Sequence, residues 1–119
     1  MSRLIKIYTD GSSIGNPGPG GYGIVMLLDN ENYKKEFSQG FKLTTNNRME
    51  LLAVIVALEK IKIKNSNVKV YTDSKYVSDA VEKGWLFNWV KKDFKNKKNP
   101  DLWRRFLNIY NDHKVEFYW

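Results

Sequence analysis

Lys6-Ile7-Tyr8-Thr9-Asp10 and Lys69-Val70-Tyr71-Thr72-Asp73 are nearly the same strand end written twice. Each alternates apolar and polar residues as a half-buried strand does, and each reaches an aspartate just before Gly or Ser. As parallel neighbours in register, the two strands would lie about 4.8 Å apart with their terminal side chains on one face. Two unit charges about 4 Å apart repel by roughly 4 kcal/mol at an effective dielectric near 20, so the pair requires a shared proton or a shared cation. The expectation is a divalent-metal site at a sheet edge.

Working outward, the first strand is expected over about Arg3 to Thr9, and Gly11 to Gly20, with GNPGPG inside it, reads as turn structure. A second strand over about Gly21 to Leu28 meets a turn at Asp29-Asn30-Glu31-Asn32, and a third returns through about Phe41, an antiparallel meander. Leu51, Leu52, Val54, Ile55, Val56 and Leu58 are apolar almost all round, as in a helix buried on several sides, and Asn47 with Glu50 marks its start. A fourth strand over about Val68 to Thr72 leads to Ser74, placed to cap a second helix through about Glu82. One or two short helical pieces then cross a basic segment, Asn99-Pro100 opens a helix through about Asn111, and Lys114 to Trp119 alternates as a fifth strand. The fold class is therefore α/β: one domain over residues 1–119, with a five-stranded mixed sheet, antiparallel first and parallel later, and helices on its faces. Sites in such sheets form beyond the carboxyl ends of the parallel strands, where Asp10 and Asp73 fall.

Glu50 is the third acid. Ala53, Val54 and Ala57 follow it at three, four and seven residues, so it heads an apolar stripe that should face the sheet. Taken singly, Glu50 also reads as a capping glutamate, Asp10 as a turn aspartate and Asp73 as a helix N-terminal acid. Three acids aimed at one edge favour a metal. With no cysteine and one histidine in 119 residues, thiolate zinc and His-rich sites are excluded, and carboxylate oxygens suit Mg²⁺ or Mn²⁺.

Twenty Lys and Arg against thirteen Asp and Glu give a formal charge of +7, which suits a polyanion. The charge is concentrated. Lys83 to Arg105 reads KGWLFNWVKKDFKNKKNPDLWRR, where Trp85, Phe87, Trp89, Phe94 and Trp103 interleave with Lys91, Lys92, Lys95, Lys97, Lys98, Arg104 and Arg105. Cations for phosphates mixed with rings that pack or stack are the composition of a nucleic-acid grip, although some of these rings must be core. The Gly-rich loop after Asp10 lacks the Gly-Lys-Ser/Thr ending of a nucleotide loop, but its small residues would let a phosphate backbone approach the acids, with Asn16 placed to meet it. No signal-length apolar run opens the chain and no stretch is long enough to span a bilayer, so a cytoplasmic protein without a membrane partner is expected.

YTDGSSIGNPGPGGYG, TTNNRMELLAVIVALE, YTDSKYV and NPDLWRR resemble, in order and spacing, the successive blocks of type 1 ribonuclease H, and the likeness runs from Ile5 to Trp119. It implies the ribonuclease H fold and hydrolysis of the RNA strand of an RNA/DNA hybrid with two Mg²⁺ ions, Mn²⁺ being a substitute. By that resemblance Asp10, Glu50 and Asp73 match three of the family's four metal-ligating carboxylates. Asn16, Thr45, Asn46, Asn47 and Lys75 match positions that contact the hybrid's backbone or minor groove, and Trp85 to Lys98 resembles the basic handle that grips the DNA strand. In the family, the fifth strand is followed by a loop with a histidine and a helix with the fourth aspartate. Here nothing follows Trp119, His113 precedes the strand and reads as structural, and neither Asp112 nor Glu116 takes that acid's place.

Weaker metal binding and turnover are then expected, along with a bare sheet face that invites dimerisation or swapping of a chain whose family is monomeric. The rival reading is a hybrid-binding module that keeps the handle and has lost cleavage. A third, a transposase-like DNA-cutting domain, is opposed by the resemblance of the TTNNRME block.

Overall fold

The computed structural model describes residues 4–28 and 33–119. Nine elements follow one another: β1 (Leu4–Ser13), β2 (Gly18–Leu28), β3 (Tyr33–Thr44), α1 (Asn46–Glu59), β4 (Asn67–Tyr71), α2 (Lys75–Glu82), α3 (Trp85–Lys91), α4 (Pro100–Tyr110) and β5 (Lys114–Tyr118). The strands form one sheet in the order β3-β2-β1-β4-β5, antiparallel from β3 to β1 and parallel from β1 to β5. The two repeated strand ends are neighbours in matching register, with Lys6 opposite Lys69, Ile7 opposite Val70 and Tyr8 opposite Tyr71.

Alternation decides which face is covered. Ile5, Ile7, Ile24, Met26, Val68 and Val70 are all buried, and the side chains between them stand on the open face. There Tyr8, Tyr71 and Tyr118 stack in a row across three strands, with ring centroids 4.7 and 5.3 Å apart. Helix α1 packs on β1 and β2 and is itself backed by α4, so Leu51, Ala53, Val54, Ile55, Ala57 and Leu58 are all fully buried. Its near all-round apolar surface follows from this sandwiching, and each of its larger aliphatic side chains contributes about 1.5–3 kcal/mol on burial.

Several boundaries differ from the sequence expectation. β1 runs on past Asp10 to Ser13, and β2 begins at Gly18, because Gly11, Ser12 and Ser13 pair with Tyr22, Gly21 and Gly20. The turn is therefore confined to residues 14–17. The small residues are there because the strands approach α1: a Cβ on Gly11 would lie 2.6 Å from the Met49 carbonyl carbon. β3 extends to Thr44, while Arg3 and the turn Asp29-Asn30-Glu31-Asn32 lie outside the described residues. Thr45, not Asn47, caps α1, its hydroxyl accepting from the Arg48 N–H at 3.2 Å, so Glu50 is not held as a capping partner of Asn47. Ser74 caps α2 as expected.

The sheet's two edges are dressed differently. β3 is mostly exposed and carries Lys34, Lys35, Glu36 and Lys42. On β5, the Phe117 N–H donates to Glu82 Oε1 at 3.1 Å.

His113, at the turn into β5, is buried and its Nδ1 meets no partner among the described residues. Burial pushes its pKa below the ordinary value of 6.5, with Asp112 opposing. An unfolded chain would then take up the proton first, so this contribution to stability is complete above about pH 6.5 and is lost as pH falls from there through the depressed folded pKa. Thermal melts across that window should show His113→Gln with a flatter fall in Tm than the parent; parallel curves would mean that His113 plays no part in the acid sensitivity.

Candidate nuclease centre and nucleic-acid interface

The β1/β4 register, continued by two residues, brings Asp10 level with Asp73, and both belong to the open face with Tyr8 and Tyr71. Both aspartates are exposed. Glu50 arrives from the third direction: the Gly11 backbone is so close to Met49 and Glu50 that an added Cβ would lie 2.9 Å from the Glu50 N–H nitrogen. The strand carrying Asp10 and the first turn of α1 carrying Glu50 are thus in backbone contact, and no hydrogen bond or ion pair engages any of the three carboxylates among the described residues. Nor do any three acids or histidines there close into a ready metal cage. Free carboxylate oxygens from three elements are a donor set suited to a hard divalent ion.

The start of α1 is held by ties that the sequence does not advertise. Asn16 Oδ1 accepts from the Asn46 N–H at 2.9 Å, and Asn46 Oδ1 accepts from the Ser13 N–H at 2.5 Å, which fastens the turn to the helix. Arg48 forks onto both oxygens of Asp101, at 3.1 and 2.9 Å, and reaches Asn99 Oδ1 at 3.1 Å. That hydrogen-bonded guanidinium holds the Asp101 carboxyl below its usual range. Asn99 Nδ2 and the Nε1 of fully buried Trp103 both donate to the Tyr76 hydroxyl, at 3.1 and 3.0 Å, so α1, α2 and α4 meet at one polar knot. Only co-location of the TTNNRME and NPDLWRR blocks would have revealed it, and a single sequence carries no such signal.

The basic segment divides as its rings suggested. Trp103 and Phe94 are core, Trp85 and Phe87 are 45% exposed, and Trp89 packs partly against the core. A groove of about 310 Å³ is lined by Asn47, Tyr76, Trp85, Trp89, Asn96, Lys97 and Lys98, and joins the start of α1 to the basic segment. An adjoining one of about 540 Å³ adds Asn88, Lys92 and Lys95. Lys91 closes α3 exposed and lines neither groove. Lys97 Nζ lies 5.0 Å from the Trp89 ring centroid, and Lys75 Nζ lies 5.0 Å from that of Trp119. Thr45 spends its hydroxyl on the cap.

A five-stranded sheet in this order, with acids where its two central parallel strands end and a buried helix behind them, defines a ribonuclease H-like domain. The RNase H family model matches residues 2–119. Ribonuclease H of Trichodesmium erythraeum is 57% identical over 120 residues, which cover 97% of this chain and 74% of the relative. Ribonuclease H of Desulforamulus reducens is 55% identical over 98% of this chain and 75% of its own length. Among solved structures, LC9-RNase H1, described as a type 1 RNase H with the type 2 active-site motif, superposes with a TM-score of 0.87 at 30% identity, over all of this chain and 63% of that one. LC11-RNase H1 in complex with RNA/DNA hybrid superposes with a TM-score of 0.68 at 28% identity, over 96% and 84%. The chain belongs to the RNase H family.

Gly11→Ala tests the β1/α1 contact. Its methyl group meets rigid backbone, so α1 must shift away from β1 at a cost of about 1–3 kcal/mol. A lower urea midpoint with an unchanged m-value is the expected result.

Proposed function

We propose that this chain hydrolyses the RNA strand of RNA/DNA hybrids with divalent metal bound by Asp10, Glu50 and Asp73. What supports the reading is that the β1/β4 register, continued, puts Asp10 level with Asp73, that the Gly11 backbone lies against Glu50, and that a groove of tryptophans and lysines opens at the start of α1. Bound there, Mg²⁺ would supply a nucleophilic water at neutral pH and neutralise charge developing on the phosphate. The chain's own residues do the rest. Asp10, on the strand that neighbours both β4 and α1, would be the shared ligand, and Glu50 would act near the RNA 2′-hydroxyl that separates RNA from DNA. Trp85, Trp89, Lys92, Lys95, Lys97 and Lys98 take the DNA strand by phosphate charge and ring stacking, which carries no base sequence.

The groove of rings and lysines would also serve a second reading, hybrid binding without cleavage. A labelled hybrid with Mg²⁺ or Mn²⁺ decides. Cleavage by the parent, reduced at least about a hundredfold in Asp10→Asn, is expected, since charge stabilisation of this kind is worth about 2.7–4 kcal/mol per group. Equal cleavage by parent and variant sinks the assignment; tight binding with no cleavage supports the second reading.

Binding should also weaken steeply with salt. Replacing Lys95 or Lys97 by Ala should lower the slope of log K against log salt by about 0.7–0.9 for each phosphate no longer neutralised, measured by fluorescence anisotropy in Ca²⁺. An unchanged slope would place the DNA strand elsewhere.

A further inference from the structure

The end of the sheet away from the acids holds a cavity of about 460 Å³, set between the carboxyl end of α1 and the covered face of β1 to β3. Ile5, Met26, Leu28, Ile61 and Ile63 give it apolar walls, and Lys35, Lys60 and Lys62 line it as well. Its size falls within the range of small-molecule sites. Ile5 stands five residues before Asp10 on β1, about 17 Å away at the rise of an extended strand, so the cavity is separate from the candidate nuclease centre.

The walls are left partly open to water, with Ile63 49% exposed and the adjoining Tyr33 54% exposed, and covering them is favourable in proportion to their area. The charge around them lacks a counterpart. Glu59, next to Lys60, is forked by Arg105 at 2.8 and 2.6 Å, and Glu36, next to Lys35, is held by Lys34 at 3.1 Å. No carboxylate engages Lys35, Lys60 or Lys62 among the described residues. The Lys35 and Lys60 ammonium groups lie 5.4 and 5.1 Å from the ring centroids of Tyr33 and Phe37, so both heads gather on the β3 side. The end of α1 contributes about half a negative charge through its dipole, which these lysines outweigh.

We infer that this cavity binds a free amphiphilic carboxylate, an alkyl or aryl acid whose apolar body fills it and whose anionic head meets the lysines. A neutral apolar ligand would leave the cations unmatched, and a small polar anion would leave the walls wet. Lysine suits the task, since a point charge on a flexible stem imposes no fixed geometry on the head. The inference stands apart from the nuclease reading, and its failure leaves that reading untouched.

The experiment titrates monomeric dodecanoate into the full chain without divalent metal and follows the methyl groups of Ile5, Met26, Ile61 and Ile63 by NMR. Saturable shifts at these residues are expected, with Val25 and Leu27 on the open face unmoved. Decanoate, shorter by two methylenes, should bind roughly tenfold more weakly. Dodecanol should bind at least about fivefold more weakly than dodecanoate, and dodecyltrimethylammonium should leave these methyls unmoved. Lys60→Gln and Lys62→Gln should each weaken dodecanoate by up to about fivefold, the span of an exposed ion pair, and leave dodecanol unaffected. Equal affinity for dodecanoate and dodecanol, or shifts that map to the open face, overturns the proposal. So does a peptide ending in leucine that displaces dodecanoate at lower concentration, which would assign the cavity to protein chain ends. If a variant fails to fold, the ligand series on the parent still decides.

Discussion

The register between β1 and β4 is the constraint on which the rest hangs. Leu4 opposite Asn67 through Tyr8 opposite Tyr71 sets a constant offset that carries Asp10 to Asp73. It is specified by the covered face, where Ile5, Ile7, Val68 and Val70 must all point at α1 and the residues between them must not. A slip of one residue would exchange these sets, burying Lys69 and Asp73 and exposing two valines, so the hydrophobic core and the acid pair are selected by the same pairing. The core therefore builds the charge centre without any direct contact with it.

The second constraint is how α1 meets this pair. A helix sandwiched between sheet and α4 has little freedom to slide, and its apolar surface says only that it is deep inside, not how far along the strands it sits. Axial position comes from polar ties at one end: the Asn16 and Asn46 exchange with the turn, and the Arg48 fork onto Asp101. Partly exposed ion pairs of this kind contribute little to stability, at most about 1 kcal/mol. Their value is geometric, since they stand within one turn of Glu50.

Which parts were legible in the sequence follows from range. Strand alternation, the apolar run of α1, the Ser74 cap and the Asn99-Pro100 helix start are local signals, and each is found where the residues predict it. The extension of β1 to Ser13 was not legible, because Gly, Ser and Pro carry no alternation and read as turn until a partner strand is known. The α1 cap was misassigned because Thr44-Thr45-Asn46-Asn47 offers four adjacent residues able to cap, and only backbone geometry separates them. Asp10, Glu50 and Asp73 were legible as candidates, and the structure puts Asp10 level with Asp73 and the backbone beside Asp10 against Glu50, but no pattern in one chain points to Ser13, Arg48, Asp101 or Tyr76, whose partners across the fold lie 23 to 53 residues away. The rings of the basic segment likewise needed three dimensions to divide into core and groove.

The two edges of the sheet have a consequence for the protein in crowded company. An open strand is a template for another chain, and both ends of this sheet are open strands. On β3, lysines and a glutamate make the approach of a foreign strand unfavourable. On β5, which is short and carries Phe117 and Tyr118, the Glu82 carboxylate occupies an outward N–H that a neighbour would need for its first rung. The sheet is thus self-terminating at both borders by unlike means, charge on the long edge and a side-chain plug on the short one, and neither depends on the residues proposed for chemistry.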